Sequence, residues 1–219
     1  MVKTDKTLME ALGLMRATRR RPWKTILALL RESAAGGNAR AQFYLATCYD
    51  DGHGVRQDLR AAVNWYLKAA RSGHAEAAYN LAISYRDGEG IKRNVKKAIK
   101  WFEIAVVGGD VDAMRDLGVC YYEGKGVSKD AQIAVQWYRK AAMRGDASAA
   151  YNLGLCYEFG EGVARNSRWA RHWYGVAIKA GHSKASRRES ALLREQTGSE
   201  HVGVSRRKVA NKRVVQGKP

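Results

Sequence analysis

Proline is nearly absent from this sequence of 219 residues, in which it occurs only as Pro22 and Pro219. Because proline interrupts helices, its scarcity permits long helical segments and excludes collagen-like and proline-rich classes. Cysteine is scarce as well, and three copies, an odd number, do not make a scaffold held by disulfides. The rest of the composition, 46% hydrophobic and 27% charged, is that of a folded globular protein.

Long apolar runs are also missing. The nearest candidate for a targeting segment is the run from Ile26 to Leu30, which is five residues long and follows a cluster of arginines. A secretory signal needs about 7–15 apolar residues and a membrane span about 20. We therefore predict neither a signal peptide nor a membrane span, and a cytoplasmic location.

Catalytic and metal-binding patterns are a further absence. The sequence contains no Walker loop, no G-x-S-x-G and no H-E-x-x-H motif. Its five histidines form no group with cysteine or aspartate at zinc-ligand spacing. We predict that the protein is not an enzyme and that it holds no metal and no cofactor.

Acidic residues are few, 21 against 39 lysines and arginines, which gives a formal net charge of +18. The excess lies mainly at the ends: residues 38–181 carry +6, residues 1–37 carry +5 and residues 182–219 carry +7. The basic clusters that we single out are Arg19, Arg20, Arg21 and Lys24, and Arg206, Arg207, Lys208, Lys212 and Arg213. These clusters suit an acidic protein, nucleic acid or an anionic membrane. Residues 197–219 contain no phenylalanine, tyrosine or tryptophan on which a base could stack, so we favour nucleic acid less.

What the sequence does contain is a repeat of 36 residues. The repeat is marked by one tyrosine, one tryptophan and one helix-ending glycine per copy, which are Tyr49, Tyr85, Tyr121 and Tyr157; Trp65, Trp101, Trp137 and Trp173; and Gly73, Gly109, Gly145 and Gly181. Four units follow one another without insertions, at 38–73, 74–109, 110–145 and 146–181. Self-similarity at this period is typical of helical repeat arrays.

Each unit predicts two helices. In the first, Ala41, Leu45, Ala46 and Tyr49 and their copies fall on one helical face. In the second, an alanine, the tryptophan, an aromatic residue and another alanine repeat at offsets 0, 3, 4 and 7. A Gly-x-Gly turn joins the two helices, and polar residues suited to cap a helix precede each helix. Since one helix pair cannot bury both of its faces, successive pairs must stack, which predicts an all-α solenoid.

The repeat motif, A-x-x-x-L-[AG]-x-x-Y-x-x-G-x-G-V followed by A-x-x-W-Y-x-x-A-A-x-x-G, resembles the Sel-1-like repeat, a relative of the tetratricopeptide repeat. The resemblance covers residues 38–181. It implies a right-handed α-solenoid of antiparallel helix pairs with a concave face, and a role as a protein-binding scaffold.

The ends extend the array. Residues 1–37 predict a degenerate helix pair, with helices over 7–18 and 23–36 and with Thr7 and Glu10 as a capping box at the first. Residues 182–196 predict a final capping helix, in which Glu189 and Ser190 replace the repeat's apolar residues. Residues 197–219 predict a basic disordered tail.

Candidate binding residues come from the first helices, which line the concave face in the superfamily that the motif resembles. They are Phe43, Tyr44, Tyr79, Asn80, Ile83, Arg115, Asp116, Tyr151 and Asn152. Aromatic anchors with amide groups between them suit an extended peptide or a helix. The alternative is that some of these side chains pack against the adjacent repeat.

The cysteines favour a structural role. Cys48, Cys120 and Cys156 each precede the repeat tyrosine, and Ser84 fills the same position. A cysteine-rich branch of the family, with β-lactamase-like or penicillin-binding reports, pairs cysteines at positions that here hold Ala70 and Ala78. We therefore predict a non-enzymatic adaptor for a protein or peptide partner. An acidic partner would suit the basic ends best. The alternatives are a basic accessory protein that binds nucleic acid or an anionic membrane through its termini and, less favoured, an enzyme of the cysteine-rich branch.

Overall fold

The computed structural model describes residues 3–16 and 22–194, and within these ranges the regular structure is helical, with eleven helices. The helices are α1 (Lys3–Arg16), α2 (Trp23–Ala35), α3 (Ala39–Asp51), α4 (Leu59–Arg71), α5 (Ala75–Asp87), α6 (Val95–Val107), α7 (Val111–Glu123), α8 (Ala131–Met143), α9 (Ala147–Phe159), α10 (Ser167–Lys179) and α11 (185–194). Each repeat therefore contributes two helices of 13 residues, as its two apolar stripes predict.

The chain divides into two compact units, Met1–Trp137 and Tyr138–Pro219, with the division inside α8. In the first unit, each helix from α1 to α7 packs mainly on the helices next to it in sequence. In the second unit, α9 packs on α10 in the same way. Neighbour-to-neighbour packing is what a repeat array requires.

The cores are formed by the residues that the repeat pattern marks. Leu45, Leu81, Leu117 and Leu153, which share one repeat position, are fully buried. The second helices bury Tyr66, Phe102 and Tyr174 at another shared position. The repeat tryptophans Trp65, Trp101 and Trp137 of the first unit are only half-buried and pack against its core.

Side-chain caps begin the repeat helices as the sequence predicts. The first helices α3, α5, α7 and α9 begin at Asn38, His74, Asp110 and Asp146, and each side chain accepts a hydrogen bond from the backbone N–H three residues on. Asp58, Asn94, Asp130 and Asn166 do the same for the second helices. These bonds satisfy backbone donors that a helix start leaves without partners.

The two glycines of each Gly-x-Gly turn have different roles. The first, such as Gly52, ends the helix in the left-handed conformation with φ of 74°. The second also has positive φ, and at Gly54, Gly90 and Gly126 of the first unit it lies against the start of the second helix one repeat earlier. A Cβ on Gly90 would lie 2.2 Å from the carbonyl oxygen of Leu59. The second glycine is therefore required by close approach as well as by conformation.

The leading helix pair differs in detail from its prediction. α1 begins at Lys3, and Thr7 is a buried residue inside the helix, so the predicted capping box at Thr7 and Glu10 is wrong. Asp5 helps to tie α1 to the first repeat, since the Asn38 amide donates to its carboxylate at 2.9 Å. Arg19, Arg20 and Arg21, residues 195–196 of the predicted capping helix, and the tail 197–219 with Arg206, Arg207, Lys208, Lys212 and Arg213 lie outside the described residues.

Candidate functional site

All nine candidate residues on the first helices are half-buried. Phe43, Tyr44, Tyr79, Asn80, Ile83, Arg115 and Asp116 belong to the first unit, and Tyr151 and Asn152 belong to the second. The contacts that each side chain makes decide whether it is available to a partner.

Two of the aromatic candidates stack on histidines. The Phe43 ring lies 4.5 Å from the His74 ring, with 16° between the planes. Tyr151 and His182 make the equivalent contact in the second unit, at 4.3 Å and 16°. In both pairs the histidine lies 31 residues after the aromatic residue, at the repeat position that follows the helix-ending glycine. This spacing is visible in the sequence and could have predicted the stacks. Phe43 and Tyr151 therefore pack against the following element.

The two histidines of these stacks differ in their hydrogen bonds. His74 accepts from the backbone N–H of Ala77 through Nδ1, which must therefore carry no proton, and burial lowers the pKa of His74. Burial also lowers the pKa of His182, whose Nδ1 has no hydrogen-bond partner in the described part of the chain. Both histidines therefore contact an aromatic ring of the preceding first helix, and His74 also caps α5.

Asp116 is the centre of a polar network in the first unit. Its carboxylate accepts from Arg86 at 3.2 Å, from Arg115 at 3.1 Å and from the Tyr79 hydroxyl at 3.3 Å. Burial raises the pKa of Asp116, and the two guanidinium groups oppose this shift. Arg115 also donates to Asp112 at 2.5 Å. Three of the candidate residues, Tyr79, Arg115 and Asp116, are thus bonded to one another or to their neighbours.

The second unit contains the same arrangement with the charges exchanged. Glu158 is 4% exposed and accepts from the Tyr174 hydroxyl at 2.5 Å and from Arg188 of α11 at 2.5 and 2.9 Å. Glu158 shares its repeat position with Arg86, and Arg188 shares its position with Asp116. The basic and acidic partners are 30 residues apart in both pairs. Sequence reasoning missed both ion pairs, although opposite charges at that separation were the signal.

One candidate, Tyr44, lines an open pocket in the first unit. The pocket has a volume of about 700 Å³ and lies at the N-terminal ends of α5 and α7. Its charged and aromatic lining consists of Arg40, Tyr44, His74, Glu76, Asp110 and Asp112. Arg40 lies over the Tyr44 ring at 5.7 Å. The lining thus holds one arginine and three acidic residues, of which Asp112 is paired with Arg115 and Asp110 caps α7.

Charge separates between the two helices of the repeats. The first helices α3, α5, α7 and α9 carry three basic and eight acidic residues. The second helices α4, α6, α8 and α10 carry eleven basic residues and one acidic residue. The small net charge of the repeats therefore conceals an acidic set of helices and a basic set.

The three thiols lie in the cores of the described ranges. Cys48, Cys120 and Cys156 are free and buried, and burial raises their pKa values to about 11, 11 and 12. A protonated, buried thiol is a poor nucleophile. In residues 3–16 and 22–194, no group of three histidine, cysteine or acidic side chains is placed to hold a metal ion, and no helix is long and apolar enough to cross a bilayer.

Capped helix pairs that repeat every 36 residues and pack on their neighbours define an all-α solenoid, a class of interaction scaffold. The chain belongs to the Sel1 repeat family, whose sequence profile matches residues 39–74, 75–109, 111–146 and 147–182. Both the predicted fold and the resemblance to the Sel-1-like repeat are confirmed.

Solved structures agree with this assignment. A Sel1 repeat protein from Oxalobacter formigenes is 30% identical, with a TM-score of 0.80 over 84% of this chain and 76% of that one. The protein c5321, described as a protective antigen of uropathogenic Escherichia coli with an SLR fold, is 28% identical, with a TM-score of 0.84 over 89% of this chain. This chain spans only 42% of c5321. The immunity protein Pa5087 from Pseudomonas aeruginosa is 26% identical with a TM-score of 0.54, over 84% of this chain and 69% of that one. No curated protein matches the sequence.

Proposed function

We propose that the protein is a non-enzymatic adaptor that holds a partner protein in the pocket beside Tyr44. Sel1 repeat proteins act in general as protein-interaction scaffolds, and membership of the family supports this proposal. The observation that carries it is the open pocket of about 700 Å³ at the N-terminal ends of α5 and α7, which falls in the size range of ligand sites.

The lining of the pocket indicates the partner's chemistry. Glu76 and Asp112 are exposed carboxylates at its rim, and the half-buried Tyr44 ring supplies a flat apolar surface beside them. A lysine or arginine side chain could place its charge near the carboxylates and its stem on the ring. We therefore infer that this surface receives a basic segment of the partner, whereas an acidic partner would meet repulsion there.

The candidate residues divide into two groups on this basis. Tyr44 is a direct contact in the proposal. Phe43, Tyr79 and Tyr151 support the helices through their ring contacts. Asp116 links α7 to α5 through Tyr79 and Arg86, whereas Arg115 is bonded within α7 to Asp112 and Asp116. The alternative of binding through the termini depends on clusters outside the described residues, and no observation on the described chain favours it.

The test compares pocket variants with matched controls in capture of partner proteins by the full chain. Tyr44→Ala and Glu76→Lys should each weaken capture of the same partner by about tenfold or more, since the first removes the ring that the partner's stem would contact and the second turns an attraction into a repulsion. Tyr122→Ala and Glu89→Lys make equivalent changes on half-buried or exposed residues outside the pocket and should leave capture intact. Equal capture by all four variants would show that the pocket is not the binding site.

A further inference from the structure

The second helices of the first unit present a row of exposed side chains that the proposed adaptor site does not use. On α4 and α6 these residues occupy the same four repeat positions, spaced at 0, 4, 8 and 11, which place them on one face of each helix. The row, called here the outer stripe, consists of Arg60, Asn64, Lys68 and Arg71 on α4 and of Lys96, Lys100, Ile104 and Val107 on α6, and every member is exposed.

The positive charge of this surface is not neutralised. Together with Lys97, α4 and α6 carry six basic residues and a single acidic one, Glu103. None of the six basic residues forms an ion pair within the described chain. Lys68 and Lys97 lie over the rings of Trp65 and Tyr85, at 4.0 and 5.4 Å, and both are exposed. By contrast, Asp50, Asp87 and Asp116 of the first helices accept hydrogen bonds from side chains.

The α6 part of the stripe ends in exposed aliphatic side chains. Ile104 is 44% exposed and Val107 is 89% exposed. Val107 is the last residue of the helix, and the glycines at 108 and 109 that follow carry no side chain that could cover it. The stripe therefore runs from lysines at one end of the helix to protruding apolar groups at the other.

We propose that the outer stripe of α4 and α6 binds the surface of an anionic lipid bilayer. The lysines and arginines would lie among the headgroups, where an anionic surface attracts them, and Ile104 and Val107 would enter the apolar boundary below. The aliphatic end distinguishes a bilayer from nucleic acid, because a phosphate backbone offers nothing apolar and the stripe has no exposed aromatic ring for a base. This site shares no residue with the pocket beside Tyr44, so either proposal can fail without the other.

The experiment measures co-sedimentation of the full chain with vesicles of phosphatidylcholine and phosphatidylserine, with phosphatidylcholine vesicles as the reference. The test variant Lys96→Glu/Lys97→Glu/Lys100→Glu should bind at least ~10-fold more weakly, since three attractions become repulsions. The control variant Lys6→Glu/Lys92→Glu/Lys129→Glu changes the net charge equally at exposed lysines of the same unit that hold none of the stripe's repeat positions, and it should retain most of the binding. Thermal unfolding verifies that both variants are folded.

Val107→Ser then separates a bilayer from other polyanions. Because Val107 is almost fully exposed, the change should leave stability unaltered, and it should weaken vesicle binding several-fold while leaving binding of a single-stranded oligonucleotide unchanged. The proposal is overturned if the chain binds the two kinds of vesicle equally, if both triple variants lose binding to the same extent, or if Val107→Ser binds anionic vesicles like the parent. Preferential binding of the oligonucleotide, or of an acidic polypeptide, through the three lysines would also overturn it.

Discussion

At the scale of single residues, one close contact between α9 and α10 depends on the absence of a single methyl group. A Cβ on Gly154 of α9 would lie 2.5 Å from Cε1 of the buried Tyr174 ring. We expect Gly154→Ala to destabilise the protein by about 1–3 kcal/mol, because a ring in a packed core cannot move aside without strain. Urea unfolding followed by circular dichroism measures the change.

Gly175 in α10 provides the matched control. It lies inside a helix of the same unit, and a Cβ there would meet no atom within 4 Å. Gly175→Ala should therefore stabilise the protein by up to about 1 kcal/mol, through helix propensity alone. If the two substitutions changed stability in the same direction, contact with Tyr174 would not be the reason that glycine occupies position 154.

The cap formed by His74 makes stability depend on pH. Burial lowers the pKa of His74 below its ordinary value of 6.5, so the unfolded chain takes up the proton first. The free energy of unfolding should therefore fall as pH falls below about 6.5, by at most about 1.4 kcal/mol per pH unit. His74→Asn places at this helix start the residue that caps α3, and it should flatten the dependence. Urea midpoints measured from neutral to mildly acidic pH test this, and equal slopes for the two proteins would contradict it.

Residue patterns predicted the core better than they predicted the surface. The Leu45 and Ala41 positions recur in every copy, so their burial could be inferred from period alone, and all their repeat copies are fully buried. The role of Phe43 or Asp116 depends on a side chain about 30 residues away that changes from copy to copy. Period alone therefore cannot separate an aromatic or charged residue that packs on the next element from one that faces a partner.

At the scale of helices, α11 is held to the second unit by the contact between Arg188 and the buried Glu158 and by the burial of Leu192. We expect Arg188→Ala to cost about 1–3 kcal/mol, since it leaves a buried carboxylate with the Tyr174 hydroxyl as its remaining partner. Hydrogen exchange should show the greatest loss of protection over residues 185–194. Unchanged exchange there would mean that apolar packing alone holds the helix.

The exchanged charges in the two units give a sharper test of the same contact. Asp50, Arg86 and Glu158 share one repeat position. In the repeat that has Arg86 there, the second helix carries Phe102, which has no hydroxyl group that needs an acceptor. Where Asp50 or Glu158 is present, a tyrosine hydroxyl donates to it. We therefore expect Glu158→Arg/Arg188→Asp to be destabilised and the addition of Tyr174→Phe to recover about 1 kcal/mol, because the phenylalanine removes an unsatisfied hydroxyl.

Denaturant unfolding of the double and triple variants measures this recovery. Tyr174→Phe alone is the control, and it should destabilise the parent protein because Glu158 loses a donor. Recovery by the same substitution in one background and loss in the other would demonstrate the coupling. Similar effects in both backgrounds would show that the ring, and not its hydroxyl, determines stability.

At the scale of the whole molecule, the net charge conceals a division of charge between the first and second helices of the repeats. The formal +18 suggests one uniform attraction for polyanions, and the +6 of the repeats suggests a scaffold that is only mildly basic. The division of acidic residues into first helices and basic residues into second helices is visible only once each residue is assigned to its helix. One protein can then bind two partners of opposite charge through different helices. In the proposals made above, these partners are a basic protein segment and an anionic bilayer.

Packing between sequence neighbours also determines which helices are destabilised by a substitution in the core. In the first unit, the buried Leu30 belongs to a cluster formed by α1, α2 and α3, and Leu30→Ala should cost about 2–5 kcal/mol through the cavity that it leaves. Because each element is stabilised mainly by the elements beside it, we expect faster hydrogen exchange in α1, α2 and α3 and little change in α9 and α10. Leu153→Ala, a substitution of an equally buried leucine in α9, should give the reverse pattern. Faster exchange along the whole chain in both variants would show instead that all the repeats unfold in one cooperative step. A partner bound to one helix pair would then stabilise every other pair equally.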